Sequence, residues 1–237
     1  MERLTYGGKS FSDFNTFWDG SKVFAKPIKN YNIYDIPGRN GSLTASRKYF
    51  GNLTVSFDCF IRQDFKKNFS QLIDYLNSMD GYQRLETTTE PEIYRMALFH
   101  SAVDPSTGAF NHYGKFTITF DCMPQAFLKS GEIPVEIPQY STEVLNNPTY
   151  QKAKPLIIVN GVGTFYVNGQ EVTVNSNPGN VYIDSELMDC YSNTGGVIGN
   201  MNPYVIVPEG FINLVSGDNT IETKGVSLSV MPRWWRV

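Results

Sequence analysis

Leu53-Thr-Val-Ser-Phe-Asp-Cys59 alternates apolar and polar residues with a period of two, and Phe116-Thr-Ile-Thr-Phe-Asp-Cys122 repeats the pattern almost residue for residue. Successive side chains of an extended chain point to opposite faces, so each stretch predicts a strand with one buried face. Leu53, Val55, Phe57 and Cys59 form the inward set of the first, and Phe116, Ile118, Phe120 and Cys122 that of the second. Strands of matched pattern are natural partners within one sheet. The frame points to a building block and not to a catalyst.

Between them the period changes. Phe65, Phe69, Leu72, Ile73 and Leu76 make one apolar stripe at helical spacing, with Asp64 placed as N-cap and Gly81 as the left-handed residue that closes the helix. So short a helix must pack on the sheet to be stable. Residues 83–86 and 93–100 read as further strands. Upstream, Tyr31-Asn-Ile-Tyr-Asp-Ile36 alternates and stops at Pro37-Gly38-Arg39-Asn40-Gly41, a turn or the tip of a projecting loop. Phe11, Phe14, Phe17, Trp18 and Phe24 are an aromatic group without firm periodicity that must be buried somewhere. The first half is thus an α+β sheet with one helix.

Prolines 124, 134, 138 and 148 mark the expected linker, near 130–145, which divides the chain into 1–140 and 141–237. Beyond it the texture is all strand. Leu156-Ile-Ile-Val159, Gly163-Thr-Phe-Tyr-Val167, Gln170-Glu-Val-Thr-Val174, Asn180-Val-Tyr-Ile-Asp184, the stretch 202–207, Thr220-Ile-Glu-Thr223 and the stretch 226–230 are each short. Turn signals separate them: Asn160-Gly161, Asn168-Gly169, Asn177-Pro-Gly179, Pro208-Glu-Gly210 and Ser216-Gly-Asp-Asn219. Asn168-Gly169 between two alternating runs predicts a type I′ hairpin. Many short strands at regular spacing predict a β-sandwich or jelly roll. The fold class is mainly β.

The bulk numbers exclude several functions. A net charge of −3 offers no basic field for a nucleic-acid backbone. Cys59, Cys122 and Cys190 are odd in number and lack metal-site spacing, so free buried thiols in a reducing cytoplasm are expected. The first residues hold no apolar run of signal-peptide type, and no stretch approaches the ~20 apolar residues of a membrane span. His100 and His112 are the available imidazoles, and neither sits in a triad motif. Gly161-Val-Gly163 lacks the rest of a phosphate-binding fingerprint. Asp184, Glu186 and Asp189 form a carboxylate cluster that reads as a Ca²⁺ site or as a solvated loop. Neither an enzyme nor a cofactor is expected.

Several stretches, taken in order, resemble the distal tail proteins of long-tailed (siphovirus-type) bacteriophages and prophages. They are Ile36-Pro-Gly-Arg-Asn-Gly41, the 53–61 strand, Leu72-Ile-Asp-Tyr-Leu76, Tyr82-Gln-Arg-Leu85, Glu90-Pro-Glu-Ile-Tyr94 and Phe116-Thr-Ile-Thr-Phe-Asp-Cys-Met-Pro124. In the second half come Asn147-Pro-Thr149, Lys154-Pro155, Gly161-Val-Gly163, Tyr182-Ile-Asp184, Pro208-Glu-Gly210 and Pro232-Arg-Trp-Trp235. The resemblance implies a ring-forming module followed by a galectin-like β-sandwich. It implies a homo-hexameric ring at the distal end of the tail tube, in the virion. Tube protein and tail-tip or baseplate proteins would be its partners, with assembly in the bacterial host cytoplasm. No long insertion follows in the second half to serve as a receptor-binding arm.

A closed ring joins two different patches of each subunit, so edge strands and projecting loops are the natural contacts. Tyr31, Ile33, Pro37, Gly38, Arg39, Asn40 and Gly41 are the candidate subunit contact, with a plain surface turn as the other reading of 37–41. The alternative function is a carbohydrate-binding β-sandwich engaging a cell-surface polysaccharide, with Tyr182, Tyr191, Trp234 and Trp235 as stacking faces. Trp234 and Trp235 are adjacent, so at most one lines a platform and the other belongs to the core.

Overall fold

The computed structural model describes residues 3–20, 25–108, 111–176 and 180–237; Phe24 and the expected turn at 177–179 lie outside the described residues. Strands Leu53–Ile61 and Gly114–Leu128 pair antiparallel, with Leu53 opposite Cys122 and Ile61 opposite Gly114. Their inward sets face one core. Cys59 lies opposite Phe116 and Cys122 opposite Leu53, so the two thiols sit at opposite ends of the paired stretch.

In chain order the first half contains β1 (Leu4–Tyr6), β2 (Lys9–Ser10), β3 (Thr16–Trp18), β4 (Lys29–Tyr34), β5 (Leu43–Phe50), β6 (Leu53–Ile61), α1 (Phe65–Asn77), β7 (Gln83–Thr87), β8 (Ile93–Phe99), β9 (Ser106–Thr107) and β10 (Gly114–Leu128). Its main sheet runs β2-β1-β7-β8-β10-β6-β3. The second half contains β11 (Val135–Ile137), β12 (Thr142–Asn147), β13 (Leu156–Val167), β14 (Gln170–Val174), β15 (Val181–Asp184), β16 (Asp189–Thr194), β17 (Val197–Asn200), β18 (Val205–Ile206), β19 (Gly217–Met231) and β20 (Trp235–Arg236).

The first core is aromatic. Phe120 lies 4.9 Å from the Tyr6 ring, 6.0 Å from Phe57 and 5.9 Å from Phe99, and Trp18 meets Phe57 edge-on at 5.2 Å. Such tilted and edge-on pairs add to the stabilisation from burial alone. Helix α1 closes this core with Phe65, Leu72 and Leu76, all buried. Tyr75 ties it to β1 by donating its hydroxyl to the Tyr6 carbonyl at 2.8 Å. Phe11 and Trp18 are buried as expected, whereas Phe14 and Phe17 are half-buried.

Asp64 stands at the helix start but makes no capping bond through its side chain, its backbone being left-handed at φ 49°. The Lys66 N–H donates instead to Asn111 Oδ1 at 2.8 Å. The helix ends at Asn77 with Ser78 as its C-cap, and Gly81, at φ +69°, stands in the loop beyond.

The chain divides into two compact units, 1–126 with Val237 and 127–236. The second unit therefore begins before residue 141. The proline-rich stretch is part of it and not a free linker, because Val135, Glu136 and Ile137 pair with Val230, Ser229 and Leu228 of β19.

Two long strands organise the second unit, where the sequence suggested four short ones. β13 shifts register between Gly161 and Thr164; its first part pairs with β15 and its second with β14, while β19 follows it on both sides of the shift. β19 in turn pairs with β12 through 217–222 and with β11 through 228–230. The glycines read as breaks are bends at which two strands pass from one layer of a sandwich to the other. At Gly163, with φ +152°, an added Cβ would lie 2.3 Å from the Lys224 carbonyl oxygen, so the close approach of the strands requires glycine. Asn168 and Gly169 both have positive φ, as a type I′ turn demands. The stretch 202–207 is a short 3₁₀ turn, Asn202–Tyr204, followed by the two-residue β18, and not one strand.

Between the layers lie Ile157, Val159, Phe165, Val167, Ile183, Leu228 and Trp234. Asn219, fully buried, donates to the Val215 and Gly217 carbonyls at 3.0 Å each and accepts from the Val215 N–H and Asn168 Nδ2 at 2.8 Å. A buried amide costs little only when its bonds are made, and here they are.

Candidate assembly interface

β4 and β5 form a two-stranded ribbon separate from the main sheet, with Tyr31 opposite Ser46, Ile33 opposite Thr44 and Tyr34 opposite Leu43. No residue from Lys29 to Tyr49 is buried. Yet Tyr31, Ile33, Tyr34 and Leu43 are 47, 66, 52 and 46% exposed, so both faces of the ribbon offer apolar surface to solvent. An isolated two-stranded hairpin is marginal in water. A ribbon of this length with apolar residues on both faces gains most from a surface to lie on.

The tip is built by residues 36–39. The Arg39 N–H donates to the Ile36 carbonyl at 3.1 Å, with Pro37 and Gly38 between them and Gly38 at φ +82°. Proline followed by a residue of positive φ is the type II turn, and only glycine takes that position without strain. Ser42 donates to Asp35 Oδ1 at 2.6 Å and ties the two strands at the loop. Arg47 Nε donates to Asn32 Oδ1 at 2.6 Å across them. Pro37, Gly38, Arg39, Asn40 and Gly41 are all exposed, so the candidate contact residues lie on one projecting element.

The carbohydrate candidates are arranged less favourably. Tyr182 and Tyr191 face each other across β15 and β16, 5.2 Å apart and within 6° of parallel, so each covers one face of the other. Trp234 is 4% exposed within the second core and cannot stack on a sugar. Trp235 is half-buried and donates its indole N–H to the Lys152 carbonyl at 2.9 Å.

The carboxylate cluster resolves into separate pairs. Arg233 donates two bonds to Asp184, Nη1 to Oδ1 at 2.7 Å and Nη2 to Oδ2 at 2.9 Å. Burial pushes the Asp184 carboxyl up, but Arg233 and the Leu187 and Glu186 N–H groups outweigh it and hold the pKa below the usual carboxylate range. Glu186 faces Lys154 at 3.4 Å, and Asp189 Oδ1 accepts from Asn202 and from the Cys190 N–H. Among the described residues no group of three His, Cys, Asp or Glu is placed to hold a metal ion.

Cys59, Cys122 and Cys190 are free and buried; burial pushes Cys59 far up, Cys122 to about 12 and Cys190 to about 11. Such thiols stay protonated and unreactive near neutral pH. His100 and His112 are exposed. Among the described residues no helix is long and apolar enough to cross a membrane.

Residues 10–122 match the sequence family described as the phage tail protein RIFT-related domain. No curated protein matches the chain by sequence. The chain is similar in fold to the Dit protein of phage SPP1, described as a paradigm of the hub adsorption apparatus in phages that infect Gram-positive bacteria. That likeness has a TM-score of 0.71 at 14% identity and covers 97% of each chain. A chain of the phage p2 baseplate in its activated conformation is similar at TM-score 0.54 with Ca and 0.53 with Sr, each at 10% identity over 97% of this chain and 98% of that one. The mainly β fold with one helix is like that of the SPP1 Dit protein.

Proposed function

We propose that this chain is a structural hub of a phage tail: six copies close a ring at the distal end of the tail tube and join it to the tail tip or baseplate. The observation that carries this reading is the β4–β5 ribbon, an ordered element of the phage tail domain whose two faces are exposed. The likeness to the SPP1 hub over both units supports it. A ring closes when a patch on each subunit meets a different patch on the next, and a projecting ribbon is such a patch. Tyr31, Ile33 and the 37–41 tip make the contact. Tail tube protein and tip proteins bind the two faces of the ring, and the second unit docks or decorates. The protein works through its surfaces, within the virion, after assembly in the host cytoplasm.

Light scattering on the purified protein, with negative-stain images of the same fractions, tests the reading. Hexamers seen as rings with a central hole are expected. A strict monomer at every concentration, alone and with the tail tube protein, would overturn it.

A further inference from the structure

A second patch of the phage tail domain matches the ribbon in chemistry. On the outer side of β6 and β10 lies a hollow of about 400 Å³, lined by Asp19, Asp58, Phe60, Asp104, Lys115 and Thr117 among others. Three carboxylates and one ammonium line it. The Thr117 hydroxyl donates to Asp58 Oδ1 at 2.7 Å and orients that carboxylate. The Phe60 ring lies 5.3 Å from the guanidinium of Arg62 and 6.0 Å from the Phe17 ring, and it makes the apolar part of the hollow.

The ribbon is the complement. Residues 28–50 hold Lys29, Arg39, Arg47 and Lys48 against the single carboxylate Asp35, a charge of +3. With −3 for the whole chain and +3 for the ribbon, the remainder carries −6. The ribbon joins β6 at its Leu53 end, and the hollow lies around Asp58–Phe60, toward the other end of the strand. At about 3.3 Å per residue the two are separated by roughly 20 Å along β6. Two unlike, complementary patches on one unit are what a head-to-tail contact requires.

We infer that the β4–β5 ribbon of one copy seats in the acid-lined hollow of the next copy, its guanidinium groups on Asp58 and Asp104 and its aromatic residues against Phe60. This rests on the ring reading above and names the two surfaces that close the ring.

A charge exchange tests it on the full chain. One variant carries Arg39→Glu, Arg47→Glu and Lys48→Glu; the other carries Asp58→Lys and Asp104→Lys. Each alone opposes like charges at the contact and is expected at monomer mass. An equimolar mixture restores both contacts in alternation and is expected to regain the wild-type assembly mass. One chain with all five changes should assemble as the wild type does. Asp58→Asn with Asp104→Asn is the milder arm, expected to weaken assembly about tenfold or more and to flatten its dependence on salt. Unchanged assembly of the Lys or Asn hollow variants, or a mixture that stays monomeric while wild type forms rings, would overturn the docking and leave the ring reading standing. Wild type that never assembles, with no association in the mixture, would overturn both.

Discussion

Two antiparallel ribbons in the first unit use the same backbone bonds to opposite ends. β6 and β10 are brought together from distant parts of the chain, and every second side chain between them is buried. β4 and β5 are joined by a short loop, and nothing between Lys29 and Tyr49 is buried. Hydrogen bonds exchanged with water contribute little net stability, so burial separates the two cases. The first ribbon makes the fold. The second is carried by the fold, and its apolar residues stay open to solvent.

The comparison can be broken most directly at Phe120. Phe120→Ala empties the centre of the aromatic cluster and should cost about 3–5 kcal/mol in a urea unfolding experiment. Ile33→Asp on the exposed ribbon should shift stability by no more than about 0.5 kcal/mol while lowering the mass of the assembly. Equal destabilisation by the two would show that the ribbon packs on its own unit.

Asn219→Ala extends the contrast into the second unit. The Val215 N–H and the Val215 and Gly217 carbonyls lose their partner, and about 1–3 kcal/mol of stability should go with them. An effect below 0.5 kcal/mol would mean that the site rearranges.

Arg233→Ala, a similar but pH-dependent loss, leaves Asp184 buried beside two backbone N–H groups. The folded pKa of Asp184 is depressed, so its contribution is present above the unfolded value of about 3.9 and is lost as pH falls through the lower folded value. The melting temperatures of wild type and Arg233→Ala should therefore differ most above about pH 5 and converge in acid. A difference independent of pH would mean that Arg233 acts through packing alone.

The smallest effect on stability is expected from deleting 37–41, which removes a tip that touches nothing buried. The variant should fold with unchanged unfolding free energy and fail to form rings. Intact rings would show that the tip makes no contact and would overturn its assignment.

What the sequence revealed follows the same line. The pairing of β6 with β10 was legible because a buried face leaves a period-two pattern in both strands. β5 was not, because Leu43-Thr-Ala-Ser-Arg-Lys-Tyr-Phe50 has no buried face to impose alternation. Gly161 and Gly163 read as strand ends, since a local pattern cannot distinguish a bend from a break. The capping of α1 by Asn111 and the pairing of Asp184 with Arg233 join residues 45 and 49 positions apart, beyond any local reading. The candidate contact at 31–41 was legible in part: alternation ending in Pro-Gly marks a ribbon and its tip. Its exposure on both faces, the property on which the proposed contact rests, came only with the fold.

Amide hydrogen exchange over residues 29–49, in the monomer and in the assembled ring, tests the central claim most directly. Rapid exchange in the monomer and strong protection in the ring, with β6 and β10 protected in both, is the expected result. Equal exchange of the ribbon in the two states would contradict the account.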